Sequence, residues 1–399
     1  MQKSKYYLSI SASQLGASML ILLLSVLAFG CKPEPQLPPD EKEEPKEDTL
    51  VLHTGFFTGM DMSYQPLLNK EGVVFTDEDG QDISDMYAYL QASGVNLVRL
   101  RLFHSPDPND RVMAASSLEE VVKIAQELAA IRMPWLLDIH YSDTWADPGQ
   151  QTIPAAWQGL SFELLEDSIY EYTFRVLSRF EEVNALPGFV QIGNETNDGF
   201  LWEIGRASGN FPQYAKLLKS AIAAVDGIAL ANEVQIHRMI HLSGVRDKEN
   251  FFDQLEAQAV PFDWIGLSHY SRWHTKDLNL LAQELNMLAN RFEKPILLVE
   301  TAYPWTLGWD DWTNNIVGTN DQLINGYPAT PEGQAAYTEK LVEILQAVPK
   351  GFGSGFVWWA PDYVAFDGAE STNGSPWENM TTFDFEYKAL PVMQVFKDY

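Results

Sequence analysis

The chain has 399 residues, of which 46% are apolar and 21% charged, a composition typical of a globular protein of enzyme size. Its formal net charge of -28 argues against nucleic acid or an anionic membrane surface as a partner, because both are bound through basic surfaces. Cys31 is the single cysteine, so a disulfide within the chain is excluded.

The N-terminal segment has the organisation of an export signal. Lysines near the start precede an apolar run at 19–28, and Gly30 stands directly before Cys31. This arrangement resembles a bacterial lipoprotein signal, in which the cysteine is lipidated and becomes the first residue. We expect residues 1–30 to be a signal peptide and Cys31 to carry lipid. A signal anchor or a plain secretory peptide is the alternative, although the apolar run is short for a membrane span.

The next segment, 31–49, is predicted to be a disordered linker. It has no apolar period and is rich in proline and acidic residues, so it cannot form a packed core. An acidic stretch directly after a lipidated cysteine resembles the surface-export signal of Bacteroidetes lipoproteins. The expected location is therefore the outer membrane, with the protein lipid-anchored at the cell surface.

Residues 50–399 are predicted to form one domain, because their composition stays globular and no second linker interrupts it. Eight apolar runs typical of strands lie at 55–61, 95–102, 135–140, 189–192, 234–240, 264–268, 296–299 and 355–359. Helical patterns fill several gaps, at 117–129, 214–225 and 333–345. The first helical pattern opens with Ser117 and has Glu120 three residues on, which predicts a capping box.

This alternation of strand and helix predicts an α/β fold, a single (β/α)8 barrel of the TIM type. An open doubly wound sheet is unsupported, because no Gly-x-Gly-x-x-Gly follows the first strand. The active site of such a barrel lies at the C-terminal ends of its strands. The residues near those ends are Asp61, Arg99, Arg101, Asp138, His140, Tyr141, Asn194, Glu195, His269, Tyr270, Glu300, Trp358 and Trp359. Because successive strand residues point to opposite sides, we expect only one of the two arginines to face the mouth.

Glu195 and Glu300 end strands 4 and 7, which face each other across the predicted mouth. A charge at the tip of a buried strand is costly unless it has a function. Two convergent carboxyl groups are the minimal equipment for cleaving a glycosidic bond, and a retaining enzyme holds them about 5 Å apart. One must keep a proton while the other stays ionised, which an arginine of strand 2 and the Tyr270 hydroxyl could support. Asn194 is placed to bind a sugar hydroxyl.

Several motifs, in order, identify a family. Asn194-Glu195 on strand 4 with Glu300 on strand 7 resembles clan A of the glycoside hydrolases. The strand 3 region, LDIHYSDTWADPG at 137–149 followed by PAAW at 154–157, resembles glycoside hydrolase family 53. Further segments agree with that family, at 98–103, 191–202, 263–270, 300–305 and 383–391. The resemblance spans about residues 55 to 399.

The resemblance implies a retaining endo-β-1,4-galactanase that acts on the galactan side chains of pectin, also called arabinogalactan. It implies Glu195 as acid/base and Glu300 as nucleophile. It also implies that the subsite around the cut is lined by Asp61, Arg101, His140, Asn194 and Tyr270. Tryptophan faces suit stacking on sugar rings, and our candidates are Trp145, Trp202, Trp309 and Trp359. We expect a monomer that requires no cofactor.

Some positions depart from the family pattern. Thr196 and Asp198 stand where hydrophobic or amide residues are more usual, and His269 replaces a more usual aromatic residue. Some bacterial members hold calcium in the loop after strand 7, here Thr306–Thr330. Oxygen ligands in that loop are Asp310, Asp311, Asn314, Asn320 and Asp321, which do not form an EF-hand pattern. A zinc mechanism is unsupported, because the sequence has neither a His-Glu-x-x-His motif nor a cysteine cluster.

Two alternatives stay open. One is another clan A endo-β-glycanase, acting on mannan, xylan or cellulose with the same pair of carboxyl groups. The other is a non-catalytic, glycan-binding lipoprotein on a barrel scaffold. The presence of both Glu195 and Glu300 favours an enzyme, because binding alone needs neither.

Overall fold

The computed structural model describes residues 55–399, in which eight parallel strands form a closed barrel in chain order. The strands are β1 (Phe57–Asp61), β2 (Leu97–Leu102), β3 (Trp135–Ile139), β4 (Phe189–Ile192), β5 (His237–Ser243), β6 (Trp264–Tyr270), β7 (Ile296–Ala302) and β8 (Gly353–Trp358). The predicted (β/α)8 barrel is confirmed. The predicted signal peptide, Cys31 and the linker lie outside the described residues and stay predictions.

The helices cover the outside of the barrel. They are α1 (Gln65–Glu71), α2 (Met86–Ala92), α3 (Arg111–Ala114), α4 (Leu118–Ala130), α5 (Phe162–Glu182), α6 (Ala207–Ala231), α7 (Glu249–Ala257), α8 (Leu278–Phe292), α9 (Pro331–Gln346) and α10 (Val392–Asp398). The capping box predicted for α4 is wrong, because the Ser117 side chain forms no cap hydrogen bond. Glu120 instead pairs with Lys70 at 2.9 Å and with Lys123 at 3.1 Å. Among residues 55–399, no helix is long and apolar enough to cross a membrane.

Strand boundaries differ from the apolar runs mainly at the barrel mouth. β5 begins at His237, three residues later than predicted, and continues to Ser243. β6 and β7 also run past their apolar segments, to Tyr270 and Ala302. The backbone hydrogen bonds of these strands continue through residues with polar side chains. The apolar runs in the sequence therefore underestimate the length of the strands. Glu300 therefore lies within β7 and not after it.

The barrel interior is built in layers. One layer is apolar and contains Phe57, Leu97, Leu136, Phe189, Met239, Trp264, Leu297, Val299 and Val357. Residues two positions further along a strand point the same way, so Arg99 and Arg101 follow Leu97 into the interior. Both arginines are fully buried, and both lie over the Trp359 ring. The expectation that only one of them would face inward is wrong, because a strand alternates with period two.

A β-bulge directs Glu300 into the barrel. Leu297 and Val299 point inward, so regular alternation would turn Glu300 outward toward the helices. On one side of β7, Leu298 pairs with Leu267 and Glu300 pairs with Ser268, which leaves Val299 without a partner. On the β8 side the register shifts over the same residues. The extra residue resets the alternation, and Glu300 reaches the interior.

The contribution of the apolar layer to the stability of the barrel can be tested at Phe189. Phe189 packs edge-to-face with Phe57 and Trp264, at centroid distances of 5.6 and 5.1 Å. We expect Phe189→Ala to lower the free energy of unfolding by about 3–5 kcal/mol, because it leaves a cavity between the two rings. Urea unfolding followed by tryptophan fluorescence measures the loss.

Phe174→Ala is the control, because Phe174 on α5 is 40% exposed. Its cost should stay below about 1 kcal/mol. Equal losses in the two variants would contradict the assignment of the apolar layer as a packed core.

Candidate active site

A cavity of about 630 Å³ opens at the C-terminal mouth of the barrel. Six of the predicted site residues line it, namely Trp145, Asn194, Glu195, Tyr270, Glu300 and Trp359. The structure thus brings both carboxyl groups of the predicted pair to one cavity. Their surroundings differ, and that difference decides what each can do.

Five predicted site residues do not line the cavity, and one of them, Trp309, is an exposed residue of the loop after β7. Asp61, Arg101 and His140 are buried behind its wall, with 1% exposure or less. Trp202 lies elsewhere, where the Arg206 guanidinium covers its ring at 3.7 Å and its Nε1 donates to the Asp198 carbonyl at 2.8 Å. Asp61, Arg101 and His140 therefore contact the residues of the cavity wall and not the cavity itself.

Arg99 is the cation behind the cavity wall. Its Nη1 lies 2.8 Å from Asp61 Oδ2, and its Nη2 lies 2.9 Å from Asp138 Oδ2 and 3.0 Å from Glu300 Oε1. The guanidinium is fully buried, so these contacts are little weakened by solvent. The guanidinium also orients two amides, because Nε donates to Gln191 Oε1 and Nη2 to Asn194 Oδ1.

Asp138 links Arg99 to His140. The His140 Nδ1 accepts from the backbone N–H of Ala146 at 3.2 Å, so its Nε2 carries the hydrogen and donates to Asp138 Oδ2 at 2.9 Å. Burial lowers the pKa of His140, which keeps the ring neutral. His140 therefore fixes a carboxylate that in turn fixes Arg99, and it is not placed for proton transfer to a ligand.

Glu300 is the carboxyl group with a direct cation. In addition to Arg99, the Tyr270 hydroxyl donates to its Oε2 at 2.9 Å. Burial raises the pKa of Glu300, while Arg99 and the Tyr270 hydroxyl oppose that rise. Both partners favour the ionised form, so the contacts direct negative charge to Glu300.

Glu195 has different partners. The Ser268 hydroxyl donates to its Oε1 at 2.6 Å, and burial raises its pKa. Among the described residues, no lysine or arginine forms an ion pair with Glu195. Two neighbouring buried carboxyl groups titrate as a coupled pair. Glu300 has a direct cation and Glu195 has none, so Glu300 is the carboxyl group better placed to hold the negative charge when the pair binds one proton.

The backbone at Glu195 is held in an unusual conformation. Its φ is +47°, in the left-handed region that costs a side-chain-bearing residue about 1–2 kcal/mol. The backbone N–H of Thr196 donates to the His241 carbonyl at 2.9 Å, and that of Asn197 donates to the Glu195 carbonyl at 2.8 Å. These bonds offset the strain and turn the chain sharply after β4, which brings Glu195 to the cavity.

The Arg101 guanidinium is surrounded by four aromatic rings, which form a cage around it. Its guanidinium lies 4.2 Å from the Trp145 ring centre, 4.8 Å from Tyr64, 5.3 Å from Phe103 and 5.4 Å from Trp359. Three of these rings line the cavity. A cation over ring faces is attracted to them, so Arg101 fixes the aromatic wall from behind.

Sequence reasoning missed several residues of the cavity wall. Trp273 follows β6 and is 54% exposed, and Trp377 lies between β8 and α10. Both rings pack against Tyr270, with centroids 5.4 Å from it. They arrive from loops, where periodicity gives no information, and the only available signal was the presence of tryptophan after a strand. Tyr64, Asp147 and Tyr363 were missed in the same way.

The suggested calcium site gains no support. In the part of the chain that the structure describes, no three histidine, cysteine, aspartate or glutamate side chains are grouped to hold a metal ion. Asp311 is buried and accepts from the backbone N–H of Thr313 at 2.6 Å, while Glu378 accepts from that of Asp310 at 2.9 Å. Calcium in the Thr306–Thr330 loop stays an untested prediction.

The geometry suits one kind of chemistry. Two carboxyl groups with different hydrogen-bond and ion-pair partners share a cavity with an amide and with aromatic walls. Aromatic faces pack against the apolar faces of sugar rings, and paired carboxyl groups with different protonation cleave glycosidic bonds. The sequence profile of glycosyl hydrolase family 53 matches residues 57–396. The chain belongs to glycosyl hydrolase family 53.

Similar proteins agree with this assignment. The family 53 chain is 34% identical to an arabinogalactan endo-β-1,4-galactanase of Cellvibrio japonicus, over 86% of this chain and 91% of the relative. It is 28% identical to an endo-β-1,4-galactanase of Bacillus subtilis, over 87% and 86% respectively. The solved family 53 catalytic domain of Ignisphaera aggregans superposes with a TM-score of 0.80 at 37% identity, over 86% of this chain and 95% of that domain.

Asp362 is a buried carboxyl group near the cage that sequence reasoning also missed. Both of its oxygens are buried without a hydrogen-bond partner among the described residues. Burial, reinforced by Asp61, raises its pKa to about 8, while Arg101 opposes the rise. The folded protein therefore holds this proton more tightly than the unfolded chain, whose aspartates titrate near about pH 4.

This difference predicts how stability depends on pH. The stability that the bound proton provides is complete below about pH 4 and is lost as the pH rises toward about 8. Asp362→Asn removes the titration. We expect the variant to gain stability relative to wild type between about pH 5 and about pH 9, as measured by urea unfolding at both pH values. A difference that does not change with pH would show that Asp362 is already ionised in the folded protein.

Proposed function

We propose that this family 53 chain is a retaining endo-β-1,4-galactanase that cleaves the β-1,4-galactosidic bonds of pectic galactan. The observation that carries the proposal is the pair Glu195 and Glu300 in one cavity, the first with a hydroxyl donor and the second with a buried cation. The Cellvibrio japonicus and Bacillus subtilis relatives are both named as endo-β-1,4-galactanases. Sugar specificity rests on that relationship.

The first chemical step needs a nucleophile and an acid. Glu300 attacks the anomeric carbon, and the bond from that carbon to the leaving oxygen breaks. Glu195 gives its proton to that oxygen, which leaves as a hydroxyl group, and a covalent glycosyl–enzyme ester remains. Arg99 and Tyr270 stabilise the ionised form of Glu300 that makes the attack.

In the second step Glu195 acts as a base instead of an acid. Glu195, now ionised, takes a proton from water, and the resulting hydroxide attacks the anomeric carbon. The ester bond to Glu300 breaks, and the free enzyme is restored with one proton on Glu195. Two displacements at the same carbon retain its configuration. Trp273 and Trp377 extend the cavity wall outward, which suits a polymer bound across the mouth.

The decisive test is hydrolysis of pectic galactan. We expect wild type to release oligosaccharides and Glu300→Gln to lose at least about 10³-fold in kcat, because an amide cannot act as the nucleophile. Glu339→Gln is the control, since Glu339 is an exposed glutamate of α9. Reducing-end assays and chromatography of the products measure both.

Three results would contradict the proposal. Wild type that leaves galactan intact but cleaves mannan, xylan or cellulose would be another clan A glycanase. Wild type that binds galactan without cleaving it would be a glycan-binding protein. Equal activity in wild type and Glu300→Gln would remove Glu300 from the mechanism.

We also propose that the chain is a monomer held at the outer membrane by lipid on Cys31, with the catalytic domain at the cell surface. The support is the signal-like segment before Cys31 and the acidic linker after it. The family match begins at residue 57, so the linker precedes the catalytic domain.

Metabolic labelling tests the anchor. We expect labelled palmitate in the wild-type protein and none in Cys31→Ala, because the thiol is the attachment atom. Ser25→Ala, in the same signal-like segment, should keep the label. Equal labelling of wild type and Cys31→Ala would refute lipidation at Cys31, and resistance of intact cells to added protease would place the domain inside the outer membrane.

A further inference from the structure

A chain of three buried groups ends at the carboxyl group of Glu195. His241 on β5 lies with its Nε2 2.8 Å from Ser268 Oγ on β6. The Ser268 hydroxyl then donates to Glu195 Oε1 at 2.6 Å. His241 and Ser268 are both fully buried, and neither lines the cavity. They contact the proposed acid/base without reaching the substrate.

The neighbours of His241 fix which nitrogen carries its hydrogen. Two donors face Nδ1, the backbone N–H of Glu195 at 3.4 Å and Gln191 Nε2 at 3.0 Å. The backbone donor cannot be reversed, and the Gln191 amide is oriented by Arg99 Nε, which donates to its Oε1. Asn194 Oδ1 also lies 3.0 Å from Nδ1, but two donors already face this oxygen, Arg99 Nη2 at 3.0 Å and Gln191 Nε2 at 3.1 Å. Nδ1 is therefore an acceptor, and the hydrogen is on Nε2.

This tautomer sets the direction of the whole chain. Burial lowers the pKa of His241 well below its usual value, so the ring stays neutral with one hydrogen. Its Nε2–H donates to Ser268 Oγ, so the Ser268 hydrogen must point away from the ring and toward Glu195 Oε1. An oxygen that always accepts this bond cannot also carry a proton in the same direction.

We propose that His241 and Ser268 are positioning residues that keep the catalytic proton of Glu195 off Oε1 and therefore on Oε2. This inference rests on the proposed function of Glu195 as acid/base. In the first step the Oε2–H bond breaks, its hydrogen bonds to the leaving oxygen, and the electron pair stays on Oε2. Ser268 donates to Oε1 both before and after this step, so no proton moves between His241, Ser268 and Glu195.

Other groups around Glu195 also act on its titration. Asp147 raises its pKa, while Arg99 and the hydroxyl of Ser243 lower it. The titratable and charged groups that face or influence it are Arg99, Asp147, His241, Lys248, Tyr270, His274 and Glu300. All of them stay in place in Ser268→Ala, so the difference from wild type isolates the Ser268 bond.

The pH dependence of galactan hydrolysis tests the serine. Ser268 stabilises the ionised form of Glu195, so its removal raises the pKa of Glu195. We expect Ser268→Ala to move the alkaline limb of kcat/KM upward by about one pH unit, the size expected for one hydrogen bond to a charged group. We also expect kcat at the optimum to fall by about tenfold, because the proton is no longer confined to Oε2.

Ser271→Ala is the matched control for Ser268→Ala. Ser271 is also buried, and its hydroxyl has no partner among the described residues. Its alkaline limb should coincide with that of wild type. An unshifted limb in Ser268→Ala, or the same shift in both variants, would overturn the proposal.

Two His241 variants separate positioning from packing. The amide of His241→Gln can still donate to Ser268 Oγ, whereas His241→Leu cannot, which frees the Ser268 hydroxyl to rotate. We expect the leucine variant to show the shifted limb of Ser268→Ala and the glutamine variant to keep the wild-type limb. Identical limbs in the two variants, or a lower melting temperature with unshifted limbs in both, would reduce His241 to a structural role and overturn the proposal.

Nitrogen-15 NMR of the resting wild-type protein reads the tautomer directly. We expect the hydrogen of His241 on Nε2, and a hydrogen on Nδ1 would overturn the proposal. This measurement needs no substrate and no variant that must fold. Wild type that is inactive on galactan would therefore overturn the proposed function while leaving the tautomer measurable.

Discussion

The site depends on one buried guanidinium that serves three carboxyl groups. Arg99 on β2 contacts Asp61 at the end of β1, Asp138 on β3 and Glu300 on β7. Removing Arg99 would leave three buried carboxyl groups without this cation, and an uncompensated buried charge is far more costly than an exposed one. A single cation cannot balance three carboxylates. Burial, together with this shortage of positive charge, favours retention of a proton in the site, and the pKa values of both Glu195 and Glu300 are raised.

Which of Glu195 and Glu300 holds a proton therefore depends on the hydrogen-bond and ion-pair partners of each carboxyl group. Burial raises both pKa values, so burial alone does not assign roles. Glu300 has a cation and a phenol, and Glu195 has the hydroxyl of Ser268. The pair then divides one proton unequally, as acid/base catalysis by two chemically identical side chains requires.

The sequence predicted the barrel and both glutamates, because buried parallel strands leave continuous apolar runs with polar tips. The bounds of β4 were predicted correctly for this reason. β5 was misplaced, since Ile236 is apolar and buried but lies before the strand. Trp273, Trp377 and Asp362 reach the site region from loops, and the contacts that bring them there depend on the closed tertiary structure. The His241 tautomer depends on hydrogen bonds between strands, which no spacing along the chain encodes.

The bulge at Val299 has a meaning for protein design. A designer who copied the catalytic side chains onto an ideal barrel, strand by strand and in perfect register, would place the nucleophile against the surrounding helices. The irregularity of β7 is thus what brings Glu300 to the cavity, although Val299 itself does not line it. Idealised backbones are attractive because they fold readily, and here the ideal geometry would remove Glu300 from the cavity.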